Sequence, residues 1–174
     1  GYDDYMIQHA GYNPYHHRKF IKDYYSGVAE GSPAIGALFS VNPKTQDARI
    51  SGSLASLCGL EKALNENNTP AIELSIKKIL LMQAHSFFIG GVPMLFYGDE
   101  CGYTNDYSYL QDPGKSYDNR WMHRPIISWD KNNRIDEAGT IEATIFSGTQ
   151  KLIALRKQLP MVADHKNLTW LSPF

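Results

Sequence analysis

The sequence predicts an α/β fold. Three observations carry this: a strongly periodic helix over residues 69–89, a continuous apolar run at Val92–Tyr97, and a second periodic helix over 139–159. The order helix, buried strand, long loop, helix is one unit of an α/β barrel or of an open parallel sheet. At 174 residues the chain has the length of a single ordinary domain.

The elements follow in order. Pro14 opens a short helix over 14–26 with Phe20, Ile21, Tyr24 and Tyr25 on one side and Gly27 as its stop. Over 34–51 two short strands flank the Asn42-Pro43 turn, which reads as a hairpin. Residues 52–64 (GSLASLCGLEKAL) read as one helix, and the polar connector 65–68 follows. Thr69 is the expected N-cap of the next helix, with Pro70 at the first helical position, where its missing N–H is no loss. Ile72, Ile76, Ile79 and Leu80 recur at helical spacing; beyond them the pattern is apolar almost all round, so the second half is expected to be buried. Gly90-Gly91 ends it. Val92–Tyr97 then reads as a buried parallel strand with its proline near the entry, where no ladder donor is needed. Residues 98–130 show no periodicity and are too aromatic for disorder, which marks a functional loop. The last helix carries Ile141, Ile145, Leu152, Leu155 and Leu159 on one side and stops at Pro160, and residues 167–171 are expected to begin a strand.

Composition excludes several function classes. Net charge is −1, so the Lys/Arg surplus that nucleic acid or an anionic membrane surface requires is missing. The longest apolar stretch, 79–89, is interrupted by Gln83, His85 and Ser86 and is too short to span a bilayer. Cys58 and Cys101 have no metal-type spacing and read as buried thiols of a reduced compartment, which points to the cytoplasm; no metal and no cofactor are expected. Tyrosine, at 11 residues, outnumbers phenylalanine at 7. It crowds into 98–130 beside Asp, Asn, Arg and His, a mixture suited to a sugar, whose C–H faces stack on rings while its hydroxyls donate and accept hydrogen bonds.

These residues also carry a resemblance. The stretch GGVPMLFYGDE at 90–100 resembles the eighth-strand motif of the α-amylase superfamily, glycoside hydrolase family 13. Gln111-Asp112, Lys115-Ser116, Asp118, Arg120-Trp121 and His123-Arg124-Pro125 resemble the loop that follows that strand in amylosucrases. Asn42-Pro43-Lys44-Thr45, Asp47, Arg49 and Ser51-Gly52 resemble a small subdomain that amylosucrases insert after the seventh strand, with His17-Arg18-Lys19-Phe20 matching its first helix.

The resemblance implies the C-terminal portion of a TIM (β/α)8 barrel with an inserted small α/β subdomain. Residues 1–64 would be the insertion, 65–164 the last helix–strand–helix part of the barrel, and 165–174 the start of a C-terminal β domain. It implies part of an α-glucosidase or transglucosidase acting on sucrose, an α-glucan or a related oligosaccharide. Arg120 matches an arginine that pairs with a carboxylate and shapes the glucosyl subsite; Arg49 and Arg18 match arginines on the acceptor side. Asp112, Asp99 and Glu100 complete the expected substrate-binding set.

The retaining mechanism of that family needs two carboxyl groups about 5–5.5 Å apart. The resemblance places both upstream of this chain, so the chain alone is expected to be inactive, and Asp3-Asp4 is not assigned to catalysis. Ser40 and the approach Asn13-Pro14-Tyr15 depart from the amylosucrase pattern on the acceptor side. Polymerisation, hydrolysis and isomerisation of sucrose therefore stay open. A non-catalytic carbohydrate-binding module is the alternative. Without neighbours for the run at 92–97, the chain is also expected to form homo-oligomers.

Overall fold

The computed structural model describes residues 7–11, 13–167 and 169. Its elements are mostly helical. Helix α1 (Pro14–Tyr25) begins where Asn13 caps it, the side chain accepting the N–H groups of Tyr15 and His16. Strands β1 (Ala37–Phe39) and β2 (Arg49–Ser51) pair antiparallel, with Phe39 directly opposite Arg49. Helices α2 (Leu54–Leu57) and α3 (Leu60–Asn65) follow, then the long α4 (Thr69–Phe88), the short α5 (Trp129–Asn133) and α6 (Ile141–Gln158).

The expected barrel fragment is not there. The sheet has two strands, both in the hairpin and antiparallel, and no parallel strand exists among the described residues. An open parallel sheet is excluded by the same finding. The run at 92–97 has no regular secondary structure over 92–96 and makes no ladder, and Val92 and Met94 are 90% and 85% exposed. Apolar composition marks what a segment would gain by burial, whereas a strand exists only through partners on its edges. Here Pro93 offers no donor, Arg156 takes the Gly91 carbonyl at 2.5 Å, and the chain turns at once, with Asp99 N–H bonding Phe96 O at 3.2 Å.

Smaller corrections have local causes. The helix expected over 52–64 is two helices, because Gly59 sits at φ 99°, the left-handed region, and breaks the run. A Cβ there would lie 2.8 Å from Pro33, so the break is held by packing as well as by the glycine. The cap of α4 is Asn68, whose side chain accepts the Ala71 N–H at 3.1 Å, and Thr69 is the first helical residue. The second half of α4 buries one stripe, Ile79, Gln83 and Phe87, while Leu81 and Met82 are exposed. The strand expected at 167–171 falls mostly outside the described residues; His165–Asn167 is a 3-10 turn.

One core cluster draws on both sides of residue 64: Ala55, Cys58, Leu60, Ile76, Ile79 and Ile145, with Ile72, Leu80 and Ile141 packed against it. Helices α4 and α6 meet closely because Gly148 has no side chain; a Cβ there would stand 2.7 Å from Leu80 Cδ1. Thr149 and Gln83 join the same two helices by a buried hydrogen bond of 2.5 Å. No described helix is long and apolar enough to cross a membrane.

Candidate functional site

Residues 98–130 are a long irregular segment, yet they are firmly anchored. Three 3-10 turns, Asp99–Cys101, Ser108–Gln111 and Asn119–His123, give it local form. Asn105 is buried and fully used: its N–H donates to Ser56 Oγ, its Oδ1 accepts from Ser53 N–H and its Nδ2 donates to Ile35 O, each at 2.8 Å. Ser56 in turn donates to Glu61, whose other oxygen accepts the Tyr107 hydroxyl at 2.7 Å. Asn105 and Tyr107, polar members of this segment, thus hold it to α2 and α3. The Tyr103 hydroxyl is likewise engaged, donating to Asn132 Oδ1 at 2.7 Å and accepting from Ser128 N–H at 2.9 Å.

Asn119 fixes the outer end. Its Nδ2 donates to Leu38 O at 2.7 Å on β1 and its Oδ1 accepts from Ser51 Oγ at 3.0 Å on β2, so one side chain spans both strands of the hairpin. Arg120, the next residue, is therefore delivered to the sheet. Its Nε and Nη2 form a fork on Asp118 at 2.7–3.1 Å, and its guanidinium lies over Phe39 with 4.6 Å to the ring centroid. Those hydrogen bonds push the Asp118 carboxyl down to about 2. Arg120 thus pairs with the carboxylate two residues before it, on the same half-exposed turn, which leaves the expected partner at the bottom of a pocket untouched.

Arg49 belongs to this face. Directly opposed residues of an antiparallel pair share a side of the sheet, so Arg49 stands beside Phe39. Arg18 does not. It lines a cleft of about 660 Å³ between α1 and the hairpin with Tyr15, Lys22, Asp47 and Ile50, and it pairs with Asp47 at 3.6 Å. Since Ile50 and Arg49 alternate along β2, that cleft lies on the other side of the hairpin. Two of the three expected arginines come together.

The acidic residues divide similarly. Asp112 shapes a turn, accepting from Gly114 N–H at 2.9 Å and Lys115 Nζ at 3.1 Å, which hold its carboxyl below the usual carboxylate range. Asp99 lies deeper. Burial, reinforced by Glu100, pushes its carboxyl up to about 6 against the Leu54 N–H that favours the charged form. Glu100 keeps one buried oxygen without a hydrogen-bond partner. This position next to α2 suits a residue that sets the loop more than one that grips a ligand.

Replacing Asp99 with asparagine is expected to raise stability at neutral pH. The folded state binds its proton near 6 and the unfolded state near 3.8, so wild-type stability falls as pH rises between the two. The Asn variant lacks that loss, gaining up to about 3 kcal/mol above pH 6 and little below pH 4. Urea midpoints of both proteins at pH 4 and 7.5 measure it; a difference that does not grow with pH contradicts the burial argument.

Cys58 and Cys101 are both buried free thiols, and burial pushes Cys58 up to about 11. Among the described residues no group of three or more His, Cys, Asp or Glu could hold a metal ion. The sequence reading missed Phe39 as a member of the Arg120 face; the local spacing Asp118-Asn119-Arg120 was the available signal for the fork. No protein-family model matches the chain.

Proposed function

We propose that this chain supplies sugar-binding residues to an α-glucosidase or transglucosidase acting on sucrose or a related α-glucoside. The chemistry would be that of a retaining enzyme, with both catalytic carboxylates contributed from outside this chain. The observation that carries this reading is the Arg120 arrangement. A guanidinium forked on Asp118 and laid on Phe39 is a fixed, planar array of donors, half-exposed, suited to closing the end of a small sugar site. The aromatic loop around it supports the same reading. We assign the protein to the cytoplasm, with no cofactor, and to homo-oligomers through the exposed run at 92–97.

Two results are expected. In the complete enzyme, Arg120→Ala lowers kcat/KM for sucrose more than tenfold, and the chain by itself releases neither glucose nor fructose. Unchanged kinetics would remove Arg120 from the site; release of either sugar by purified chain would place the carboxylates within it.

The α1–hairpin cleft favours a second reading, a non-catalytic carbohydrate-binding module. Its volume and its Tyr15 and Arg18 walls suit a short oligosaccharide. Calorimetric titration of the chain with maltooligosaccharides separates the two, since tight binding belongs to the module alone.

A further inference from the structure

The hairpin face that carries Phe39 holds more positive charge than its carboxylates neutralise. Arg49 and Arg120 flank Phe39, with Asp118 on Arg120; Lys115 and Arg124 lie over the neighbouring Trp121, with Asp112 on Lys115 and Asp106 within its electrostatic reach. Lys115 and Arg124 both lie over the Trp121 ring, at 5.1 and 4.9 Å, and the Arg124 guanidinium has no carboxylate partner among the described residues. The potential is felt nearby: burial and the Arg124 and Arg120 charges hold His123 below its usual value.

Donor accounting sharpens this. A guanidinium has five N–H groups. Arg120 gives Asp118 its Nε and Nη2 and keeps both N–H groups of Nη1. The Arg49 side chain makes no hydrogen bond or ion pair among the described residues and is exposed on the side of the sheet that carries Phe39. The arrangement is also preorganised, because Asn119 ties the Arg120 turn to both strands. Tyr117, within electrostatic reach of Arg120, is 83% exposed. Its exposed ring offers an apolar surface within that reach.

From these placements we infer that the Phe39 face binds the phosphate ester of a sugar, with Arg49 and Arg120 donating to the phosphate oxygens and Tyr117 receiving a C–H face of the ring. Paired planar forks match phosphate geometry, and a dianion recovers the charge that a neutral glucoside leaves uncompensated. The inference rests on the sugar-binding reading above and narrows its ligand from neutral to anionic.

Titration of the full chain with glucose 6-phosphate, glucose and inorganic phosphate, followed by NMR shifts of the Tyr117 ring and the backbone at 117–121, tests it. Glucose 6-phosphate is expected to bind at least tenfold more tightly than either of the others and to weaken as NaCl rises. Arg49→Ala, at an exposed position and with an unchanged circular-dichroism spectrum as its control, is expected to remove that advantage, and Arg49→Lys to restore part of it. Equal affinity for glucose and its ester overturns the inference, as does an unchanged Arg49→Ala titration. Inorganic phosphate binding as tightly as the ester overturns its sugar half. The kinetics of Arg120→Ala on neutral sucrose stand apart from all three and judge the underlying function alone.

Discussion

Truncating Ile145 to alanine is expected to remove about 3–4 kcal/mol of stability, within the range for a large aliphatic side chain deleted from a closed core. Ile145 is fully buried on α6 and touches a cluster assembled from α2, α3 and α4, so its loss opens a void that three other elements would have to collapse into. The site cannot be refilled from the loop side. Its Cδ1 lies against Gly102, where an added Cβ would be 2.6 Å away and where φ is 64°, a conformation other residues adopt only at a cost. Small domains have roughly 5–15 kcal/mol in total, so this variant approaches the margin. Urea unfolding with an unchanged slope and a lowered midpoint is the expected record. A loss below 1 kcal/mol would mean that the cluster is not the core.

The second large effect is electrostatic. Glu142, in the first turn of α6, is only 3% exposed and is held by Lys131 Nζ at 2.7 Å, with Arg134 at 3.6 Å. Burial works against its charge, but the Lys131 hydrogen bond and both cations win and keep the carboxyl below its ordinary value. Lys131→Met leaves that carboxylate buried with one distant partner, a loss expected near 3 kcal/mol at neutral pH. Removing both charges in Lys131→Met with Glu142→Gln should recover more than half, because the cost lies in the orphaned ion. The sign with pH follows. The wild-type pair stabilises above the unfolded carboxyl value of about 4.5 and loses its contribution as pH falls through the depressed folded value. The single variant therefore converges on wild type in acid. A constant difference from pH 3 to 8 would assign the effect to lost packing of the lysine stem instead.

The three long helices were legible because their signals are local. Pro14 and Pro70 mark starts within one turn, and 3.6-residue periodicity places Ile76, Ile79 and Ile145 on buried sides, although Phe20, Ile21 and Leu155 of the expected apolar faces are exposed. The run at 92–97 misled because composition reports affinity for a core while strand pairing is decided by residues elsewhere. In this structure nothing pairs with it. Gly59 escaped notice for a related reason: a glycine in a helical pattern is tolerated, and only its contact with Pro33 makes it a break. Within the site, Arg120 and Arg49 share a face because Phe39 and Arg49 are in register, which a hairpin prediction without register does not give. The role of Asn105 was out of reach. Its partners Ser56 and Ile35 lie 49 and 70 residues away, and no spacing rule connects them.

Asn105 also alters what kind of loop this is. The backbone of 98–130 has no long helix or ladder of its own, so a local view would have it peeling away from the helices in brief openings. Its innermost bonds, however, end on the Ser53–Ser56 turn and on Glu61, inside the layer that closes the core. Freeing them requires that layer to come apart. The inner part of the segment thus belongs to the same cooperative folding unit as α2 and α3, and the amide proton of Asn105 should exchange with solvent at the pace of global unfolding, not of surface breathing.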